Sequence, residues 1–423
     1  MEMPPKLIFT EETLGLEQKK GRKSDIARAF TSRADHILRS HSSTGVTTLK
    51  FVIPDCYNVS TWQLNSWHQK AVTPEIEEVT LSLPSKYRAK YNFPCSILFD
   101  GRGNSIRSLD LTDCTFQPTV GFDCLRSLTK LRLHRMRVTG DELGCLLSNC
   151  FALEKLELRY CHELICLKIP FLLEGLSCLS VAECSMLQVI ESTAPNLSNF
   201  DFLGEPVQLS LGASSKVKNA NLGFLDERNS ISYAITKLPS IVPHLETLTV
   251  CPSYERGKTP MVAYKFFHLK YLMIDLIPDD DGDGSPAYDY LSLASFLYAS
   301  PVLETFILSI DQYDMEHDSV FGDASPMRQI PDHKHDRLKK VEINGFCSAK
   351  SMVELTCHIL ENATSLESVT LDGIYGEYED GSTVRCKKIG KCKLLSKHMI
   401  LEAHKHSVSS KDTSWEEFPL RLS

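Results

Sequence analysis

The sequence predicts an α/β fold: a curved solenoid of stacked repeats, with a parallel sheet on its concave side and irregular helices or turns on its convex side. Two observations carry this. Leu128-Thr-Lys-Leu131-Arg-Leu133 and Leu153-Glu-Lys-Leu156-Glu-Leu158-Arg-Tyr-Cys161 share the form L-x-x-L-x-L, and the second continues into x-x-C. That word is the core of a leucine-rich repeat, and its last apolar positions alternate as a short strand with one buried face requires. Between the two words, Thr139 is placed to cap a helix whose Leu143, Leu146 and Leu147 fall on one side. One unit therefore reads strand, loop, helix, loop, next strand.

The bulk properties agree with a folded, soluble chain. Of 423 residues, 42% are hydrophobic and 24% charged, too apolar for disorder outside the ends. With 46 basic against 54 acidic residues the net charge is −8, which excludes a global attraction to nucleic acid or anionic membrane. No run approaches ~18 consecutive apolar residues, and Met1-Glu-Met-Pro-Pro-Lys6 is not an apolar leader. The 15 cysteines are odd in number and scattered within apolar patterns. Together these predict a cytosolic or nuclear protein with free thiols.

Taken in order, residues 1–23 read as a polar segment ending in the basic cluster Gln18-Lys-Lys-Gly-Arg-Lys23, a candidate nuclear import signal or a solvated lead-in. Ser24 and Asp25 then cap a helix carrying Ile26, Ala29, Phe30, Ala34, Ile37 and Leu38, and residues 24–45 are expected to cover the first strand of the solenoid. The solenoid is assigned to residues 46–372. Its units are Val46/Leu49/Phe51, Ile76/Val79/Leu81 and Ile106/Leu109/Leu111, then the two opening words. Tighter units follow at Leu164/Leu167/Ile169, Leu176/Leu179/Val181, Leu187/Ile190 and Leu197/Phe200/Phe202, and a weaker one at Val217/Ala220/Leu222. The last are Leu245/Leu248/Val250, Leu269/Leu272/Ile274, Leu303/Phe306/Leu308, Leu338/Val341/Ile343 and Leu366/Val369/Leu371. Unit spacing runs from about 10 to about 35 residues against 20–29 for regular repeats. The close units near 164 and 187 thus leave no room for a helix, and the wide gaps hold insertions. Helices are expected over 288–298 and 349–360. Residues 373–423 read as a basic and polar tail.

Cys114, Cys161 and Cys184 occupy the x-x-C position, where a small polar side chain lies inside the turn near backbone groups. Other clusters do not reach a site. Asp279-Asp-Asp-Gly-Asp-Gly284 begins like a calcium loop, but an EF-hand register puts Tyr290 where a bidentate Glu is required. Cys386, Cys392, His398 and His404 lack the spacing of a zinc knuckle. His333-Lys-His335 reads as a polar loop. No catalytic or phosphate-binding motif is present, so neither an enzyme nor a cofactor or metal is expected.

Particular phrases go further than the repeat. Leu7-Ile-Phe-Thr-Glu-Glu-Thr-Leu14, Val52-Ile-Pro-Asp-Cys-Tyr-Asn58, Ile76-Glu-Glu-Val-Thr-Leu-Ser-Leu83, Phe93-Pro-Cys-Ser-Ile-Leu98, Leu109-Asp-Leu-Thr-Asp-Cys114 and Ala363-Thr-Ser-Leu-Glu-Ser-Val-Thr-Leu371 occur in this order. Their run resembles plant F-box/leucine-rich-repeat proteins of the FBD-associated branch. That resemblance implies repeats that present a target protein, and an N-terminal F-box that binds the Skp1-like adaptor of a cullin–RING ubiquitin ligase. No compact apolar helical module with a Leu-Pro pair precedes Leu7. The expectation is therefore that the adaptor is a partner only if an F-box is supplied elsewhere.

The leading functional expectation is a protein-recognition scaffold that binds a partner on the concave face, with Arg132, Lys155 and Glu157 as binding residues. Lys130, Lys270 and Lys339 are read as further outward strand positions. A substrate receptor of a ubiquitin ligase and a small-ligand sensor built on the loops at 279–300 and 311–337 are the alternatives. No nucleic-acid or membrane partner is expected.

Overall fold

The computed structural model describes residues 6–16, 22–40, 45–54, 57–88, 90–98, 104–117, 125–212, 216–224, 230–252, 255, 258–261, 264–276, 288–310, 327–328, 330–331, 333–346, 349–379 and 383–388. The basic cluster at 18–21, the acidic loop at 279–284 and the Cys392/His398/His404 tail lie outside them. The chain divides into two compact units, Met1–Lys216 and Val217–Ser423.

In the first unit the strands are β1 (Lys6–Phe9), β2 (Thr48–Val52), β3 (Glu78–Ser82), β4 (Ser108–Thr112), β5 (Lys130–His134), β6 (Lys155–Arg159), β7 (Cys166–Ile169), β8 (Cys178–Ala182), β9 (Val189–Ser192), β10 (Asn199–Gly204) and β11 (Gln208–Ser210). β1 to β6, then β8 and β10, form one parallel ladder. Its register stacks like on like. Leu49, Val79, Leu109, Leu131, Leu156, Leu179 and Phe200 make one inward row, and Phe51, Leu81, Leu111, Leu133, Leu158, Val181 and Phe202 the next. All are buried, so each leucine is solvated only by the repeats on either side of it.

The ends of β4, β5, β6 and β8 repeat a second device. Asp113, Arg135, Tyr160 and Glu183 all have positive φ, between 50° and 58°, although none is glycine. The N–H of each donates to the carbonyl at the end of the next strand: Asp113 to His134 (3.0 Å), Arg135 to Arg159 (2.8 Å), Tyr160 to Ala182 (2.9 Å), Glu183 to Leu203 (2.6 Å). The bend turns the following side chain inward, which buries Cys114, Met136, Cys161 and Cys184. The Cys161 thiol donates to the carbonyls of Leu133 and Arg159 at 3.6 Å, and Cys184 to Ala182 at 3.6 Å. The turn position read from x-x-C is the one these thiols occupy, and burial pushes the Cys114 thiol well above its ordinary pKa.

Helices α1 (Lys23–Ser40), α2 (Thr61–Ala71) and α3 (Gly140–Leu147) belong to this unit. α3 starts at the expected cap: Thr139 accepts from the Glu142 N–H, and Glu142 accepts from the Thr139 N–H in return. α2 was not anticipated. Its Ser60 cap and Gln63 form the same reciprocal box, and the Trp67 indole donates to Asp35 of α1 at 2.7 Å.

Two expectations are corrected here. Residues 1–23 are not merely a polar lead-in, because β1 pairs along β2 and buries Leu7 and Phe9, with Phe9 stacked on Phe51 at 4.7 Å. β1, rather than the helix at 24–45, takes the edge of β2. The close units at 164 and 187 are not rungs of the main ladder either. β6 pairs directly with β8, while β7, β9 and β11 form a separate three-stranded parallel sheet. The tight spacing excludes a helix there, and the second sheet takes its place.

The second unit holds β12 (Asn219–Phe224), β13 (Thr247–Pro252), β14 (Tyr271–Leu276), β15 (Thr305–Ile310), β16 (Lys340–Phe346), β17 (Ser368–Glu379) and β18 (Thr383–Lys388), with α4 (Ser230–Ile241), α5 (Ala294–Ala299) and α6 (Lys350–Asn362). β12 to β17 are parallel in order, and Leu248, Leu272, Phe306 and Val341 form a buried inward row of this unit. The repeat word ends at Leu371, but β17 runs on to Glu379 and pairs antiparallel with β18. The helix expected over 288–298 is a 3-10 turn, Tyr290–Leu293, leading into α5. Among the described residues no helix is long and apolar enough to cross a membrane.

Candidate interaction surface

Alternation along each strand leaves every second side chain on the outward face. On β5 and β6 those positions are Lys130, Arg132 and His134, then Lys155, Glu157 and Arg159, and register sets Lys130 beside Lys155 and Arg132 beside Glu157. The structure therefore brings together the three residues singled out from the sequence, Arg132, Lys155 and Glu157.

Their geometry is a network rather than a set of free charges. Glu157 is buried and lies 3.0 Å from Arg132 Nη2, 3.1 Å from Arg159 Nε and 3.9 Å from Lys155 Nζ. Arg132 Nη1 also donates to Asp110 Oδ2 on β4, at 3.2 Å. Burial raises the Asp110 pKa, opposed by the guanidinium of Arg132. Desolvation pulls the Arg132 pKa down, but its bonds to Glu157 and Asp110 leave it raised on balance.

At the strand ends Asp113 has no solvent exposure and sits between Arg88 Nε (3.3 Å) and Arg135 Nε (2.8 Å). The Arg135 contact is an ion pair whose N–H is not aimed at the oxygen, so Asp113 Oδ2 and Arg135 Nε keep no aligned hydrogen bond. His134 lies 5.4 Å from the Tyr160 ring. Burial, then Arg135, lowers its pKa.

Lys270 and Lys339 belong to the second unit and sit one residue before β14 and β16, not on the strands. Lys270 and Lys218 both pair with Glu246, at 3.1 and 2.9 Å, and Lys339 pairs with Glu304 at 3.2 Å. The sequence reading missed the outward face of this unit, where Thr249, Met273, Ile307 and Glu342 share one row, with Tyr271 beside them. The continuous apolar runs of β14 and β15 were its signal, because a strand with one solvated face should alternate.

His333, His335 and His358 surround Tyr298. The Nε2 atoms of His335 and His358 are 3.4 Å apart, Tyr298 donates to the Pro331 carbonyl at 2.8 Å, and Asn362 donates to the His358 carbonyl and Nδ1. His335 is pushed down to about 4 by burial and by the two facing imidazoles. This is a buried polar network joining a loop to α6. Among the described residues no group of three His, Cys, Asp or Glu side chains is placed to hold a metal ion.

A ladder of parallel strands with inward leucines, four of them followed by a left-handed bend and an inward thiol or thioether, defines a leucine-rich-repeat protein, a class of protein-interaction scaffold. The leucine-rich-repeat domain of the At1g61320/AtMIF1 family matches residues 37–413, and the chain belongs to that family. It is similar to the FBD-associated F-box protein At1g61320 of Arabidopsis thaliana, 24% identical over 326 residues, which is 72% of this chain and 68% of the relative. The FBD-branch resemblance carried by the local phrases is the one these matches show.

Proposed function

We propose that this protein binds a protein partner on the outward strand face of β4 to β6, the concave face in the solenoid reading, through Arg132, Lys155 and Glu157. One observation supports it above the others: Arg132 is held between two carboxylates, Asp110 and Glu157. A guanidinium already oriented by two carboxylates loses little entropy on engaging a partner. The test is partner capture by the intact chain carrying Arg132→Glu, and by the charge swap Arg132→Glu with Glu157→Arg. Loss of a specific partner in both, with melting temperature retained in the swap, supports the face. Capture unchanged in both removes it.

A receptor role in a cullin–RING ligase is the second reading, favoured because the similar Arabidopsis protein is named as an F-box protein. It requires an F-box, and co-purification of the whole protein with a Skp1-like adaptor tests it. A cytosolic or nuclear setting is proposed on the thiols: the ten described cysteines from Cys95 to Cys357 are all free. The small-ligand reading rests on loops whose greater part, 279–287 and 311–326, lies outside the described residues.

A further inference from the structure

We infer that the segment of the partner seated on β5 and β6 is acidic, an extended stretch of protein rich in aspartate and glutamate. This rests on the interaction face proposed above and names the chemistry of what it holds.

The observation is an asymmetry between the two signs of charge. Within this ion-paired network the carboxylates are the buried half. The Asp113 side chain is 0% exposed, Glu157 8% and Asp110 24%. The cations are its exposed half, with Arg132 at 36%, Arg135 at 40%, Lys155 at 43% and Arg159 at 51%. Each buried carboxylate is tied to at least one of those cations, so the acids act as struts that hold basic groups toward solvent. Lys130, beside Lys155 in register, adds a further cation.

The surroundings favour the same sign. The outward positions of β4 are Ser108, Asp110 and Thr112, of which Asp110 is already paired with Arg132, and those of β8 are Cys178, Ser180 and Ala182, all uncharged and short. The cations of β5 and β6 therefore stand between two low strands whose one outward acid, Asp110, is engaged by Arg132. Beyond them the outward rows carry Glu78 on β3 and Asp201 on β10, each separated from β5 or β6 by one intervening strand. A chain of net charge −8 that turns the cations of two adjacent strands to solvent while burying the acids paired with them presents there a field opposite to its global one. Such a field steers and orients an anionic partner. The same global charge opposes a long polyanion such as nucleic acid, whose phosphates extend beyond the patch.

The experiment uses the full chain and three fluorescent probes of equal length: an Asp/Glu-rich peptide, its Asn/Gln counterpart and a single-stranded oligonucleotide. The acidic peptide should bind, weakening as salt rises, and the neutral peptide should not. Lys130→Glu with Lys155→Glu should weaken acidic-peptide binding roughly tenfold or more, since both lysines face solvent at the patch. Lys130→Gln with Lys155→Gln guards against misfolding and should weaken it less. Lys340→Glu in the second unit should leave it unchanged. Equal binding of the acidic and neutral peptides, tighter binding of the oligonucleotide, or indifference to both lysine doubles overturns the inference. If the lysine doubles abolish capture of a protein partner while the acidic peptide never binds, the face stands and its acidic ligand falls. If neither readout moves, both fall.

Discussion

Asp113 and Arg135 occupy the same left-handed turn position in neighbouring repeats, and the carboxylate of one lies 2.8 Å from the guanidinium Nε of the other. Backbone and side chain thus join the same two repeats, since the Asp113 N–H also reaches forward to the His134 carbonyl. The pair is lopsided, with the carboxylate fully buried and the guanidinium reaching solvent. Arg135→Ala should therefore cost about 3 kcal/mol, because it leaves a buried carboxylate with Arg88 alone. Asp113→Asn should cost less, about 2 kcal/mol, since the cations it strands can turn to water. Arg135→Gly removes the same pair but relieves a left-handed strain of roughly 1 kcal/mol, so it should cost less than Arg135→Ala and come close to Asp113→Asn. Thermal melts of the three variants that reverse the first two would show the carboxylate is not the dependent partner.

Leu131 and Leu156 are adjacent in register, and both are fully buried. Truncating either to alanine should cost about 2–5 kcal/mol, the range for a large buried aliphatic that leaves a cavity. Lys130→Ala, one residue from Leu131 but on the outward face, should stay within about 0.5 kcal/mol. Chemical denaturation resolves this contrast, and equal losses at positions 130 and 131 would contradict the facing of β5.

His68 supplies a pH dependence. It is fully buried on α2, its Nδ1–H donates to the Leu64 carbonyl at 2.7 Å, and Phe51 and Phe93 pack against its ring. Burial pushes its pKa down to about 4, against a smaller upward pull from the Leu64 bond. The unfolded chain then binds the proton first as pH falls. Stability from this group is intact above about 6.5, declines between 6.5 and about 4, and is level below. The full loss is about 3 kcal/mol. His335 pushes in the same direction. His68→Phe should flatten the slope of unfolding free energy between pH 7 and 4.5 relative to wild type. Parallel slopes would mean that His68 is not held neutral.

The parts of this structure that were legible in the sequence are those where periodicity has one reading. Leu131, Leu133, Leu156 and Leu158 alternate beside a capped helix, which admits only a ladder with a helix behind it. Leu164, Leu167 and Ile169 alternate in the same way yet build the second sheet, because a period of two says which residues are buried but not against which sheet. β1 was missed for its brevity, and α2 because its apolar positions are few and mixed with polar ones. That Arg132, Lys155 and Glu157 lie side by side was legible because outward positions of adjacent repeats must meet. The burial of Glu157 and the part played by Asp113 were hidden, since both depend on how the left-handed turns aim neighbouring arginines.

The two glycines of α3 make opposite predictions from one helix. Gly144 is in mid-helix with nothing within 4 Å of where a Cβ would stand. Gly144→Ala should therefore stabilise the protein by about 0.5–1 kcal/mol, the usual gain from removing a glycine's freedom in the unfolded chain. Gly140, the first residue of α3, would place its Cβ 2.4 Å from the Cys166 carbonyl oxygen at the start of β7. That oxygen is backbone, held in the second sheet by the pairing of β7 with β9, and it cannot swing away as a side-chain tip would. Gly140→Ala should thus lose about 1–3 kcal/mol despite the better helix former, as overpacking against a rigid neighbour does. The sign difference between the two alanines, read by melting temperature, tests the close approach of α3 to β7. If both stabilise, the helix stands further from the second sheet than this structure places it.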